Sequence, residues 1–207
     1  MQLFEYGGSA NQKWILQSAT NALTAVRMSD IAGTSNDLFR IVNTMAENLS
    51  ATPFVALVDS SASDVWKLMQ SSGIFIINGH GSKESIGCGG GTELTKEFVK
   101  AQPAGSLSGC KLVIYRSCLT ARGGEYADNL SSATQGRGAR TVVGFQESIN
   151  TLQANTWLEG FRIYIASGYS VQDACKLATD YTNSNHEGKL GYTDTWVVCG
   201  DKTQRLK

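Results

Sequence analysis

Gly109-Cys110-Lys111-Leu112-Val113-Ile114-Tyr115-Arg116-Ser117-Cys118-Leu119-Thr120 is the stretch on which the fold turns. Residues 110–115 form a short, almost wholly apolar run. A run with no polar face reads as a strand covered on both sides of a parallel sheet. Four more such runs occur at 54–58, 73–77, 141–145 and 195–198. Amphipathic segments lie between them. Ser61 to Asp64 reads S-x-x-D ahead of Val65, Leu68 and Met69, and Ser170 to Asp173 repeats it ahead of Ala174, Cys175 and Ala178. Both are helix-start signatures. A further helix is predicted from Asn150 to Ser167, burying Leu152, Trp157, Phe161, Tyr164 and Ile165, with Gly168 placed to end it. Strand and helix alternating at this spacing imply right-handed βαβ units, hence a three-layer α/β/α sandwich with a mostly parallel central sheet.

Ahead of these units, apolar positions recur at helical spacing from Trp14 through Ile15, Ala19, Ala22, Leu23 and Val26. After Gly33-Thr34 they recur again at Leu38, Ile41, Val42, Met45 and Leu49, behind a candidate Asn36 cap. Residues 1–50 are therefore predicted to be a helical hairpin, either an N-terminal cap or part of the sandwich. The 207 residues suit one domain rather than two.

Composition narrows the function classes. Eighteen basic against eighteen acidic residues leave no bulk attraction to phosphate backbones, which argues against nucleic acid as a partner. No run approaches the roughly 18 apolar residues of a membrane helix. The first residues lack the basic-then-apolar pattern of a secretory signal, so no membrane association and a cytoplasmic location are expected. Five cysteines without C-x-x-C spacing do not describe a disulfide framework. Twenty-two glycines against two prolines point to segments that need a permissive backbone.

In parallel sheets the ligand crevice lies beyond the carboxyl ends of the strands. After Phe75-Ile76-Ile77 comes Asn78-Gly79-His80-Gly81-Ser82, and after Leu112-Val113-Ile114-Tyr115 comes Arg116-Ser117-Cys118-Leu119-Thr120. If those strands are neighbours, His80 and Cys118 converge at one sheet edge. A thiol is mostly protonated at neutral pH, and a nearby imidazole raises its thiolate fraction or takes its proton during attack. Gly81, with no Cβ, can turn its N–H into the crevice and form an oxyanion hole with the N–H of Cys118.

Strand, His-Gly, spacer, strand and Cys in this order resemble the caspase-like superfamily of cysteine peptidases (clan CD), with the CHAT, gingipain and clostripain-like branches nearest. The segment from Gly109 to Thr120 is similar to the CHAT nucleophile segment. Gly138 to Gly144 resembles the strand that follows it, and Ala166 to Ala174 its late helix boundary. Cys199-Gly200-Asp201 through Leu206 is similar to the Gly-Asp-Pro-x-x-x-Leu ending of both branches, with Lys202 where Pro is usual. The resemblance runs over about residues 53–206. It implies a cofactor-free cysteine endopeptidase acting through an acyl-thioenzyme on a protein or peptide substrate, switched by a partner protein or by processing. Carried over by position, Cys118 is the nucleophile, His80 the general base, and Gly81 and Cys118 the oxyanion donors. The residue two before the nucleophile lines the substrate pocket in this superfamily. Here it is Arg116, which implies an acidic substrate side chain. Glu147, in the loop after the next strand, is placed to line the same pocket or to neutralise Arg116. The competing reading of the same fold is a catalytically inactive protein-binding scaffold, and a third is a thioester-forming transferase or amidase.

The remaining motifs read as structure. Cys110, Cys175 and Cys199 sit in or beside apolar elements and are expected in the core, whereas Cys88, in the glycine-rich stretch 86–92, is expected to be exposed and that stretch to be a mobile cleft loop. His186 is expected in a solvated loop. A zinc site from His80, Cys88, Cys110 and Cys118 lacks the short ligand spacings, so no metal is expected. The Gly87–Gly91 cluster lacks the G-K-[ST] of a phosphate loop.

Overall fold

The computed structural model describes residues 19–27, 35–57, 61–186 and 194–207. The elements run β1 (Ala19–Arg27), α1 (Ser35–Asn48), β2 (Thr52–Leu57), α2 (Ala62–Gln70), β3 (Ser72–Asn78), β4 (Ser85–Gly89), β5 (Thr92–Thr95), α3 (Lys96–Lys100), β6 (Leu112–Arg116), α4 (Leu130–Gln135), β7 (Thr141–Phe145), α5 (Thr151–Ala166), α6 (Val171–Asn185) and β8 (Trp196–Gly200). Six strands form the central sheet in the order β2-β1-β3-β6-β7-β8, and β4 with β5 makes a separate hairpin. All neighbours in the large sheet are parallel except β7 and β8. The five apolar runs read from the sequence are β2, β3, β6, β7 and β8.

Alternation along each buried strand feeds two cores. Leu23, Ala25, Ile74, Ile76, Leu112 and Ile114 face α1, α5 and α6, where Leu38, Met45, Trp157 and Phe161 pack. Val26, Phe75, Ile77, Val113 and Tyr115 face α2, α3, α4 and the hairpin, through Trp66, Met69, Val99 and Leu130. That is an α/β/α sandwich. Each fully buried side chain of this size contributes about 1.5–3 kcal/mol.

Local chemistry sets the helix ends. The Ser61 hydroxyl accepts from Asp64 N–H at the start of α2, and the Ser170 hydroxyl accepts from Asp173 N–H at the start of α6, so both S-x-x-D signatures cap helices. Asn150 caps α5 by accepting from the N–H groups of Leu152 and Gln153. At the other end of α5, Gly168 takes φ +86°. Its N–H goes to Ile165 O and that of Tyr169 to Tyr164 O, the paired bonds of a Schellman stop. The Tyr164 and Tyr169 rings meet edge-on at 5.8 Å across it. Leu152, expected in the core, is 62% exposed at the head of α5, because its side chain precedes the first turn that packs on the sheet.

Two readings of the sequence are corrected. Residues 19–27 are a strand, not the first helix of a hairpin, and β1 lies between β2 and β3 in the sheet. Residues 35–48 form the expected second helix. The part of the first predicted helix before residue 19 lies outside the described residues. The glycine-rich stretch 86–92 is not a free loop: β4 is buried along its whole length and pairs antiparallel with β5. Gly89, Gly90 and Gly91, at φ +88°, +57° and +73°, supply the left-handed backbone of its turn. Cys88 is consequently 1% exposed rather than solvated.

Candidate active site

β3 and β6 are parallel neighbours, with Asn78 beside Arg116 in register. Two residues further along each chain come His80 and Cys118. The two segments are fastened together. Gly79 N–H donates to the Ser117 hydroxyl at 3.3 Å. A Cβ built on Gly81 would lie 2.5 Å from Cys118 O and 2.8 Å from Ser117 Cβ. Only glycine allows that approach. His80 is exposed and Cys118 half-buried.

Gly81 also pairs with Ile86 as an isolated antiparallel bridge. The bonds flank the pair, Gly87 N–H to His80 O and Ser82 N–H to Ser85 O, each at 2.8 Å. Flanking bonds turn the pair's own N–H and C=O away from the partner strand. Gly81 N–H therefore faces away from β4. Among the described residues, neither Gly81 N–H nor Cys118 N–H has a backbone carbonyl partner in the loop hydrogen bonds of this edge.

The next residue, Leu119, has φ 61°, a left-handed conformation that costs a side chain of this shape about 1–2 kcal/mol. Its N–H is held by Glu147 O at 3.2 Å, and Ala121 N–H by Phe145 O at 3.0 Å. The turn after Cys118 is thus tied to the β7 end, and Leu119 N–H points away from the crevice. The segment after β7 also touches the sulfur. Ile149 N–H donates to Cys118 Sγ at 3.4 Å, and the thiol lies 3.8 Å from Ile149 O. Ile149 was not singled out from the sequence, although a loop leaving the strand next to β6 has to pass the residues that follow β6.

The other four cysteines are buried. Burial pushes the Cys88 thiol up to about 11, and those of Cys110 and Cys199 up to about 12. Cys175 is raised by burial as well. These thiols pack as the sequence suggests for Cys110, Cys175 and Cys199.

Arg116 follows Leu112 and Ile114 in the alternation of β6 and so turns toward α1, α5 and α6. It is 2% exposed. Its Nη2 donates to Thr151 O at 2.8 Å, while Nε and Nη1 are buried without a hydrogen-bond partner. Burial lowers its pKa to about 10, and Asp37 on α1 acts against that shift. Glu147 is exposed, and among the described residues it makes no ion pair with Arg116, so the pairing weighed from the sequence is not seen. His186 ends α6 half-buried, its Nε2 2.8 Å from the Thr156 hydroxyl, rather than free in a loop.

A clamp that the sequence reading did not identify joins the two loops. Lys96 Nζ lies 2.6 Å from Glu84, four residues past His80, and 2.9 Å from Asp128, in the loop after Cys118. Lys100 also bonds Asp128. Leu130 N–H donates to Lys83 O at 3.0 Å beside it. No described helix is long and apolar enough to cross a membrane.

Sheet order, strand directions and the flanking helices define a caspase-like fold. The solved structures it is similar to bear this out. The Arg-specific cysteine proteinase gingipain R matches with TM-score 0.71 at 12% identity, over 91% of this chain and 48% of that one. The complex of the Porphyromonas gingivalis RgpB pro- and mature domains matches at 0.67 and 11%, over 91% and 49%. A Saccharomyces cerevisiae separase–securin complex matches at 0.58 and 15%, over 90% and 12%. The chain spans about half the length of the gingipain structure. No protein-family model and no curated protein matches the sequence.

Proposed function

We propose that the chain is a cysteine peptidase in which Cys118 is the nucleophile and His80 the general base and acid. The observation that supports this reading is the close approach of Gly81 to Cys118 O and Ser117 Cβ, beside the paired ends of β3 and β6 at the carboxyl edge of a caspase-like sheet. His80 takes the Sγ proton as sulfur attacks the scissile carbonyl carbon. The N–H groups of Gly81 and Cys118 receive the oxyanion, an arrangement in which one donor is worth about 10²–10³ in turnover. The imidazolium then protonates the leaving nitrogen and the C–N bond breaks, leaving a thioester. Water, giving a proton to His80, attacks that thioester, and the C–S bond breaks to release the acid and regenerate the thiol. No step calls for a cofactor.

A partner protein or processing as the means of control remains part of this reading, supported by the two complexes among the similar structures. So does a cytoplasmic location.

A peptide acyloxymethyl ketone tests it. Wild type is expected to be labelled on one cysteine, Cys118→Ala not at all, and His80→Ala more slowly by about 10²–10⁴-fold. Equal labelling of Cys118→Ala overturns the reading and leaves a scaffold with the same fold.

A further inference from the structure

His80 stands between Gly79 and Gly81, the most permissive neighbours a backbone can have. A base in that setting needs its main chain fixed from outside, because neither neighbour fixes it. The fixing comes from the loop that carries Cys118. β3 and β6 end level with each other at Asn78 and Arg116, so the next residues along the two chains are Gly79 and Ser117. There the backbone ladder has ended and a side chain takes over. Gly79 is buried, and its N–H donates to the Ser117 hydroxyl at 3.3 Å. In the loop hydrogen bonds of this edge that N–H has no backbone carbonyl partner.

Ser117 also meets the residue on the other side of His80. Its Cβ lies 2.8 Å from the position that a Cβ on Gly81 would occupy, so it packs directly against Gly81. One small side chain thus holds both neighbours of His80, by a hydrogen bond on one side and by packing on the other. The carbonyl of His80 itself accepts from Gly87 N–H on the hairpin at 2.8 Å. The main chain is held at three successive residues while His80 stays exposed. Ser117 is 1% exposed. A hydroxyl that deep needs a partner, and without it the Gly79 N–H becomes a buried donor with no acceptor.

We propose that Ser117 is a positioning residue for the base: its hydroxyl and Cβ hold the glycines on either side of His80 and so aim the imidazole at Cys118. The role rests on the peptidase reading, in which a proton passes between the imidazole and Sγ. Such transfer works only within hydrogen-bond reach, and a misplacement of about 1 Å is felt strongly in the rate. Ser117 acts through His80 and not on the reacting atoms. The sheet does not depend on its hydroxyl, since β6 ends at Arg116 and its pairing with β3 ends there too.

Ser117→Ala removes the hydroxyl and keeps the Cβ that packs on Gly81. Amide exchange reads the tether directly. The Gly79 amide is expected to exchange on the order of 10-fold faster in the variant, with Leu112 to Tyr115 in β6 unchanged. Unchanged exchange at Gly79, or loss of protection along β6, overturns the role. Labelling by the peptide acyloxymethyl ketone reads the consequence. Ser117→Ala is expected to slow it on the order of 10-fold when His80 is present and not at all in the His80→Ala background, because a positioning residue has no effect once the residue it positions is gone. Equal slowing in both backgrounds marks Ser117 as structural, and no slowing in either marks the hydroxyl as idle; both overturn the proposal. The peptidase reading fails on a different result, wild type labelled no faster than Cys118→Ala, and that result takes the role with it. A wild type labelled through Cys118, with no His80-dependent effect of Ser117, rejects the role and leaves the peptidase.

Discussion

At Gly81 one hydrogen in place of a methyl group sets the spacing between the two loops that carry His80 and Cys118. Gly81→Ala puts a carbon 2.5 Å from Cys118 O, a backbone atom that cannot swing aside as a side-chain tip would. The loops must part. The expected result is a loss of stability of about 1–3 kcal/mol by denaturant unfolding. Probe labelling should slow by on the order of 10²-fold, because the Gly81 donor moves with its backbone. A variant that loses stability but labels at the wild-type rate would show that Gly81 is packing only. The thiol count gives an independent check. With Cys88, Cys110, Cys175 and Cys199 buried and their thiols raised, brief alkylation of the folded protein near neutral pH is expected to modify Cys118 alone, read as one adduct by intact mass. That His80, Gly81 and Cys118 follow the ends of two adjacent strands was legible from sequence, because strand ends are marked by apolar runs. The depth of Arg116 was not. Alternation gives the face of a sheet, but whether a terminal residue on that face is covered depends on where α5 begins.

The elements that hold this edge are small. The β4–β5 hairpin and α3 sit under the His80 loop, and Lys96 binds Glu84 on one side and Asp128 on the other. Hydrogen bonds from Lys100 and Lys96 hold the Asp128 carboxyl at about 2, and Glu84 and Asp128 hold Lys96 above the ordinary lysine value. The sign follows from linkage. A carboxyl depressed on folding adds stability above its unfolded pKa of about 3.9, and that stability is lost as pH falls toward about 2. A raised lysine adds stability below its unfolded value, lost only in strong alkali. The Tm difference between wild type and Asp128→Asn is therefore expected to be flat from mildly acidic to mildly alkaline pH and to shrink below about pH 4. A difference that persists unchanged in acid would mean that Asp128 acts through packing rather than charge. The hairpin was misread because Gly87 and Gly89–Gly91 suggest a free loop. Glycine marks permissive backbone, and here three of those residues serve one turn while Ile86, Cys88 and Leu94 bury themselves. β1 was misread for a related reason. Ala19, Ala22, Leu23 and Val26 fit a helical spacing, and alanine has no preference strong enough to resist a central position in a sheet.

Across the whole molecule, β1 decides whether β1, α1 and β2 are an accessory or part of the body. It is hydrogen-bonded to both β2 and β3, and Leu23 and Ala25 lie in the core that α1 covers. Without residues 1–57, β3 becomes an edge strand with a row of unpaired N–H and C=O groups, and β3 is the strand that leads to His80. The buried contributions of Leu23, Leu38, Ile41, Val42 and Met45 go with it, each about 1.5–3 kcal/mol. Together they are on the order of the 5–15 kcal/mol by which a domain of this kind is stable. A chain beginning at residue 58 is therefore expected to give no cooperative thermal transition and no dispersed amide spectrum, and to lose labelling at Cys118. A removable cap predicts the opposite, a folded core that still labels. Supplying residues 19–57 as a separate peptide should restore labelling only if β1 re-inserts beside β3, which ties catalysis to the position of that one strand.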